Sequence, residues 1–349
     1  MHPSATTSAG GAFVVSVDLE LYWGVHDVAR LDDHREALLR VRELAPRLLR
    51  LFERYGIHAT WAAVGFLFFG TRESLTRGMP RRLPEYSPKT LSPYSRVNEL
   101  GRDEAADPYH FAPSLLRAIQ AAPHQEIGSH TFSHYYCLEK AQTAEAFRED
   151  LLAAVAAARQ FGVTLRSLVF PRNQVNPAYL ETCREAGIVA YRGTERSWLY
   201  RPRPHSAETR IRRLARLADS YFNLTGRHTY PLEGRAQGGV ANVPSSRLLP
   251  RHLRALKWLE PLRARRIRGG MTFAARQGQA FHLWMHPEEL AEYPDETLGM
   301  MEKILAHYQR LRLDYGMRSL NMGEAAGELL AAPENQPAQA FSALAWERT

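Results

Sequence analysis

The sequence lacks most of the features that would assign it to a specialised class of protein. It contains only two cysteines, Cys137 and Cys183, so no disulfide framework exists, and neither belongs to a Cys-x2-Cys ligand motif. We therefore expect both thiols to be reduced. The 45% hydrophobic and 23% charged residues are typical of an ordinary globular protein, and no repeat of fixed period is present.

Long apolar runs are also missing. The longest strongly apolar stretch, 59–70, is too short to cross a bilayer, which needs roughly 20 residues. Residues 1–11 lack the basic start, apolar core and cleavage site of a secretory signal. These observations predict a cytoplasmic location.

Acidic residues are outnumbered by basic ones, and the net charge is +8. The arginines are concentrated in 201–216 and 247–268. No zinc-finger, helix-turn-helix or RNA-binding signature accompanies them, so we expect no nucleic-acid partner. Such patches also suit a phosphorylated substrate or the anionic surface of a membrane, and the plainest alternative is a solvated helix face.

Predicted strands and helices alternate along the chain, which indicates parallel pairing in an α/β fold. The predicted strands are 13–20, 57–64, 167–170, 189–191 and 281–285, and one more leads from the helix 113–122 into the loop that carries His130 and His134. The predicted helices are 35–55, 113–122, 143–161, 177–186 and 297–313. We expect one domain over 12–330, with a long loop excursion at 71–108 and a basic insertion at 201–270. Residues 331–349 are expected to form a flexible tail.

Two histidines four residues apart, His130 and His134, form the most informative local pattern. Their rings can reach one cation from a single turn or tight loop. The spacing alone is weak evidence in a chain with 14 histidines, and two polar loop residues are the alternative.

Two carboxylates strengthen the metal hypothesis. Asp18 and Glu20 end an otherwise apolar run, and the alternation of side chains along a strand puts them on the same face. Carboxylates at a strand end are typical of active sites in α/β proteins. The alternative is a pair of solvated residues that cap the next segment.

Four candidate segments follow predicted strands directly and would converge at one face of a parallel barrel. They are 18–23, 128–135, 171–175 and 286–288. His130, His134 and one carboxylate would provide three metal ligands and leave positions open for water and substrate. The second carboxylate is then a candidate general base, and His286 is a candidate acid for a departing amine.

The remaining candidates are less specific. Arg172 would orient the base or bind an anionic group, or else form a surface ion pair. Trp23 and Tyr135 lie near the candidate segments and could stack on a sugar, although aromatic residues are more often core. Two nitrogen ligands and one oxygen suit zinc, with cobalt, nickel, manganese and iron as alternatives.

In order along the chain, these motifs resemble the polysaccharide deacetylase family, the metal-dependent esterases of carbohydrate esterase family four. The resemblance extends over about 12–330. Its most specific part is 126–134, which is similar to the motif whose two histidines bind the metal. Residues 16–20 are similar to the motif that supplies the base and the third ligand, and 283–287 to the one with the general acid.

The chain departs from the family pattern in its first motif, which usually has adjacent aspartates. Here Leu19 takes the second place and Glu20 follows it. The resemblance therefore implies Asp18 as the base and Glu20 as the metal ligand, and exchanged roles are the alternative.

Later motifs depart as well. The arginine that usually precedes the proline of the third motif is replaced by Val169, and Arg172, together with Asn173 and Gln174, is the candidate substitute. The aspartate of the fourth motif has no evident counterpart, and Trp198 is the one residue that corresponds to that motif.

The resemblance implies an irregular (β/α) barrel that removes an N-acyl group, most simply acetyl, from an amino sugar. A cytoplasmic enzyme of surface polysaccharide biosynthesis would act on a nucleotide-linked or lipid-linked precursor, and the insertion at 201–270 would face its phosphates or the membrane. The alternatives are an amidase for a non-sugar cyclic amide and a non-catalytic barrel that binds carbohydrate. Oligomeric state is not predicted.

Overall fold

One curled, mainly parallel sheet organises the computed structural model, which describes residues 10–232, 236–237 and 239–331. Its strands are β1 (Ala12–Leu19), β2 (Ala59–Ala63), β3 (Gln125–Ser129), β4 (Ser167–Leu168), β5 (Ala190–Tyr191), β6 (Ala236–Gln237), β7 (Val240–Asn242), β8 (Arg247–Leu248), β9 (Ala280–Met285) and β10 (Arg318–Leu320). Their order is β6-β7-β5-β4-β3-β2-β1-β9-β8, with β10 beside β1. Pairings from β7 to β8 are parallel, and β6 is antiparallel to β7. The irregular (β/α) barrel is confirmed.

Helices cover the outside of this sheet, except the last one, which packs inside the barrel. They are α1 (Arg35–Tyr55), α2 (Arg72–Gly78), α3 (Pro113–Ala121), α4 (Ala144–Gln160), α5 (Leu180–Glu185), α6 (Arg210–Phe222), α7 (Glu260–Gln277), α8 (Pro287–Leu290), α9 (Pro294–Tyr315) and α10 (Met322–Ala331). The first has the predicted bounds, because its leucines recur at helical spacing and Gly56 ends it with a φ of 61° in the left-handed region. Its buried side chains pack into the main core.

The inside of the barrel changes character along its axis. At the amino ends of the strands it is apolar, and Met322, Ala325 and Leu329 of α10 pack there against Val14 of β1. Nearer the carboxyl ends it is polar. The buried side chains in this second layer are Ser16, Asp18, Arg192 and His282. Charged groups are therefore concentrated where the strands end.

The segments predicted to lie outside the barrel are only partly separate from it. Residues 71–108 contain α2 and two 3-10 helices, as expected of an excursion. Residues 201–270, by contrast, include β7 and β8, which pair with β5 and β9 and so belong to the sheet. The predicted tail lies outside the described residues from 332 onward.

Two further observations concern the chain as a whole. Both cysteines are free, as expected of reduced thiols, and both are buried. None of the helices in the described part of the chain is long and apolar enough to span a membrane.

Candidate active site at the carboxyl ends of the strands

A cavity of about 800 Å³ opens at the polar end of the barrel. Its buried lining includes Asp18, Glu20 and His134, and its exposed lining includes Arg203 and Arg213. We call it the active-site cavity. Segments that were predicted to converge from separate strand ends do meet around it.

A tight loop after β3 presents the two histidines. Thr131 and His134 have positive φ values of 61° and 57°, which turn the backbone sharply enough to aim both imidazoles inward. The loop is held by Asp150 of α4, whose carboxylate accepts hydrogen bonds from the backbone N–H groups of Phe132 (2.7 Å) and Ser133 (3.2 Å). Burial raises the pKa of Asp150 to about 6. The loop geometry is therefore set by buried hydrogen bonds.

Glu20, His130 and His134 form a compact group, which we call the Glu20 cluster. The Nε2 atoms of His130 and His134 lie 2.8 and 3.3 Å from Oε1 of Glu20. One ligand atom from each residue lies within 4.8 Å of the other two, and all three residues are buried. Nδ1 of His130 has no hydrogen-bond partner within the described part of the chain. Two imidazole nitrogens and a carboxylate oxygen fit a divalent transition metal.

The protonation states of the Glu20 cluster also fit a cation. Burial lowers the pKa of His134 to about 4, so its imidazole is neutral at pH 7. Burial alone would raise the pKa of Glu20, but the imidazoles of His134 and His286 outweigh it and hold this pKa well below its usual range. The cluster therefore offers one anionic ligand and a neutral one.

Asp18 is paired with Arg192, not with the histidine loop. The guanidinium donates two parallel hydrogen bonds of 2.6 Å to the carboxylate and a third of 3.0 Å to Oγ of Ser16. Burial alone would raise the pKa of Asp18, but Arg192 and then His286 bring it below its usual range. Asp18 is therefore ionised and oriented.

His286, directly after β9, lies beside both carboxylates. Its Nε2 atom is 3.6 Å from Oδ2 of Asp18 and 3.7 Å from Oε1 of Glu20. Burial alone would lower its pKa, yet the carboxylates of Glu20, Glu289 and Asp18 raise it to about 9. An imidazolium ion therefore stands at this position at neutral pH.

Arg172 does not orient Asp18 in this structure. It donates to both carboxylate oxygens of Asp27 (2.7 Å each) and stacks 4.1 Å above the ring of Tyr136, although it does line the active-site cavity. The expectation that Arg172 orients the base is thus corrected, because Arg192 occupies that position. The sequence places Arg192 directly after the predicted strand 189–191, but this position alone does not show that it reaches Asp18.

Asn173 and Gln174 both line the cavity but differ in their contacts. Oδ1 of Asn173 accepts a 3.0 Å hydrogen bond from Arg192, so this residue helps to fix the guanidinium. The buried amide of Gln174 bonds to the backbone of Leu138 and to the carboxylate of Glu139, each at 2.9 Å. Its polar atoms are therefore engaged by the protein.

The two aromatic candidates lie in the core. Trp23 is fully buried and donates its indole N–H to the carbonyl of His110 at 2.9 Å. Tyr135 is fully buried and donates its hydroxyl to the carbonyl of Thr143 at 3.2 Å. Neither lines the active-site cavity, so the expected stacking on a sugar is corrected. Aromatic rings that do line the cavity include Tyr200 and Trp284, and the Trp284 ring lies 5.3 Å from the His286 ring.

Glu288 is a second residue that the sequence reasoning missed. Its Oε1 atom accepts the backbone N–H groups of Glu20 (2.9 Å) and Leu21 (2.5 Å), which fixes the turn after β1. Burial and the nearby charge of Glu20 raise the pKa of Glu288 to about 8. Its position two residues after His286 places it in a candidate segment.

A family model matches part of the chain. Residues 31–191, which are less than half of the chain, match the model for polysaccharide deacetylase. This part of the chain is similar to the polysaccharide deacetylases. The match contains His130, His134 and Arg172, while Asp18, Glu20, Arg192 and His286 lie outside it. The similarity points to a hydrolase that acts on amide bonds.

Solved structures share the fold at low sequence identity. A Mycobacterium smegmatis protein assigned to the polysaccharide deacetylases is 13% identical, with a TM-score of 0.55 and coverage of 97% of this chain and 96% of the other. An allantoinase is 12% identical, with a TM-score of 0.53 and coverage of 96% and 95%. A Pseudomonas aeruginosa PAO1 protein, also assigned to the polysaccharide deacetylases, is 13% identical, with a TM-score of 0.51 and coverage of 94% and 93%. No curated protein matches the sequence.

Proposed function

We propose that this chain removes an acetyl group from the nitrogen of an amino sugar in surface polysaccharide biosynthesis. The observation that carries the proposal is the meeting, on one side of the active-site cavity, of the Glu20 cluster with the Asp18–Arg192 pair and His286. These groups are the ones that amide hydrolysis by a base, an acid and a metal requires.

Glu20, His130 and His134 would hold the metal, and zinc suits this donor set best. When bound, a metal supplies Lewis acidity that polarises the amide carbonyl and lowers the pKa of water. The geometry favours Glu20 over Asp18 as the ligand, because Oε1 of Glu20 lies within 3.3 Å of both imidazoles.

Asp18 is the general base in this proposal. Water attacks the carbonyl carbon, Asp18 takes the released proton, and Arg192 holds the carboxylate in place. The lowered pKa of Asp18 keeps it ionised at neutral pH and ready to accept that proton.

His286 is the general acid. Cleavage of the C–N bond leaves an amine that must be protonated, and the raised pKa of His286 keeps a proton on its ring at pH 7. Acetate and the free amino sugar are the products. The position of His286 between Asp18 and Glu20 puts the acid beside the base.

The cavity also favours a particular form of substrate. Trp284 offers an aromatic surface next to His286. Arg203 and Arg213 line the more exposed part of the same cavity, which suits a sugar attached to a nucleotide diphosphate or a lipid phosphate. The cytoplasmic location stays a prediction.

The test combines metal content with acetate release. We expect about one metal ion per chain and acetate release from acetamido sugars for the wild type, and loss of both in a His130→Ala/His134→Ala variant. His58→Ala/His124→Ala is the matched control, because it removes a stacked histidine pair far from the Glu20 cluster.

A wild-type chain that stays metal-free after zinc is supplied would overturn the metal-dependent mechanism. Turnover of small cyclic amides without turnover of acetamido sugars would replace the proposal with the amidase alternative. Carbohydrate binding without any hydrolysis would replace the proposal with the alternative of a non-catalytic barrel that binds carbohydrate.

A further inference from the structure

Helix α6 buries charged side chains and exposes apolar ones, the reverse of an ordinary surface helix. Its arginine and aspartate side chains at Arg212 and Asp219 are buried. Three of its apolar side chains point outward, with Ile211 78%, Leu214 65% and Phe222 56% exposed. Positions 211, 214, 218 and 222 fall on one side of a helix, and we call this side the outer stripe.

The buried polar side fixes this orientation. The Asp219 carboxylate accepts hydrogen bonds from Arg247 (2.7 Å), Arg266 (2.9 Å) and the hydroxyl of Tyr200 (2.6 Å). Arg212 donates to the carbonyl of Leu199 at 2.7 Å. Rotating α6 to bury the outer stripe would break these buried ion pairs, which is costly. The exposure of the stripe is therefore built into the fold.

Other exposed apolar residues lie near the ends of α6 or beside it. Leu224 lies two residues after the helix, Trp198 packs against Arg212 at its start, and Phe222 and Leu262 line the same small hollow. Trp258, which is 70% exposed, precedes α7 by two residues. Clustered exposed apolar residues of this kind mark a binding surface.

The charges around this surface are basic. Exposed basic side chains are Arg210 at the start of α6, Arg227 and Arg265 in the hollow that Phe222 lines, and Lys257 next to Trp258 in the sequence. The acidic residues described within 196–278 are Glu208, Asp219 and Glu260, and each is paired with an arginine. Apolar and tryptophan side chains flanked by positive charge, with the described acidic residues already paired, match a bilayer interface with anionic lipids.

We propose that the outer stripe of α6 docks this protein on an anionic membrane surface. A two-fold contact between copies would bring Arg210 of each chain near the same basic surface of the other, so charge favours the membrane over a second copy. Since α6 also supplies Arg213, Arg216 and Leu217 to the active-site cavity, docking would place that cavity next to the bilayer. The proposal does not depend on the catalytic one.

The test is co-sedimentation of the full chain with vesicles of phosphatidylcholine mixed with phosphatidylglycerol, compared with pure phosphatidylcholine. We expect binding to the anionic vesicles, with Leu214→Glu lowering partitioning by about tenfold or more and Arg210→Gln by about fivefold. Leu313→Glu and Arg310→Gln are matched controls on exposed positions of α9 and should bind like the wild type. Circular dichroism of each variant checks that it is folded.

Three results would overturn the proposal. One is no binding of the folded wild type to anionic vesicles, and another is equal binding to neutral ones. The third is equal loss of binding in Leu214→Glu and Leu313→Glu. Self-association that Leu214→Glu abolishes, without vesicle binding, would assign the outer stripe to a second copy instead.

Discussion

The two sides of the active-site cavity use charge differently. On the buried side, Asp18 and Glu20 are bonded to Arg192, His130 and His134 at 2.6 to 3.3 Å. On the exposed side, arginines such as Arg203 are open to water. Similar charges therefore serve two purposes. Buried ion pairs fix the geometry and the pKa values of the site, whereas exposed charges attract ligands and are screened by salt.

Replacing Arg192 with Met should have the largest effect on activity, because it removes the buried ion pair with Asp18. The loss of an oriented base should lower kcat/KM by about 100-fold to 1,000-fold. Leaving Asp18 buried and unpaired should also lower the free energy of unfolding by about 3–5 kcal/mol. Because Arg192 lowers the pKa of Asp18, its removal should raise that pKa, so activity on the acid side should be lost at a higher pH. A pH profile of kcat/KM measures this shift.

Two companion variants keep this prediction interpretable. Asp18→Leu/Arg192→Met removes both charges and should recover much of the stability without recovering activity. Arg172→Met removes the partner of Asp27 and should not change the pH at which activity falls on the acid side of the profile. An unshifted profile in Arg192→Met would mean that Asp18 is not the base.

A Gly24→Ala variant tests how tightly the Glu20 cluster is fitted, and its effect should be smaller. A methyl group at Gly24 would lie 1.8 Å from Oε2 of Glu20, so the carboxylate must move. We expect a 10-fold to 100-fold weaker metal affinity, measured by competition with a chelator. Gly299→Ala on α9 is the control, because a methyl group there meets nothing within 4 Å. Unchanged affinity in Gly24→Ala would argue against Glu20 as a ligand.

Regular elements were predictable where local pattern alone decides them. The apolar spacing of α1 fixed its bounds, and the buried run of β1 placed Asp18 and Glu20 together. The short strand β10 and helix α10 were missed, because three residues of strand give little periodicity and α10 is explained only by the barrel interior that it fills. Likewise β7 and β8 join the sheet through pairing that no local pattern announces.

The site shows the same division. His130, His134 and Glu20 could be predicted from a motif, since they follow strand ends directly. The partner of Asp18 could not, because the choice between Arg172 and Arg192 depends on register. Leu168 of β4 pairs with Tyr191 of β5, so Arg192 stands beside Val169, the place where the family resemblance leads one to expect an arginine. Only the sheet reveals that the neighbouring strand supplies it.

The direction in which a side chain points is a further property that the sequence pattern did not predict. Trp23 and Tyr135 are close to site residues in sequence, yet their rings point into the core. Helix α6 is the opposite case, because its amphipathic pattern predicts a helix but not which side is buried. In α1 the apolar side packs inward, whereas in α6 the ion pairs of Asp219 turn it outward.

The smallest expected effect belongs to the exposed side of the cavity. Arg203→Gln should raise KM for a phosphate-bearing acetamido sugar about fivefold, since one charge near a phosphate in water is worth on the order of 1 kcal/mol. The difference from wild type should shrink as salt is added. Arg210→Gln removes an equally exposed arginine that does not line the cavity, so a soluble substrate should not distinguish it from wild type. An equal rise in KM for a phosphate-free sugar would show that Arg203 shapes the cavity without recognising phosphate. The buried and exposed sides of the cavity would then differ in the burial of their charges and not in the purpose that these charges serve.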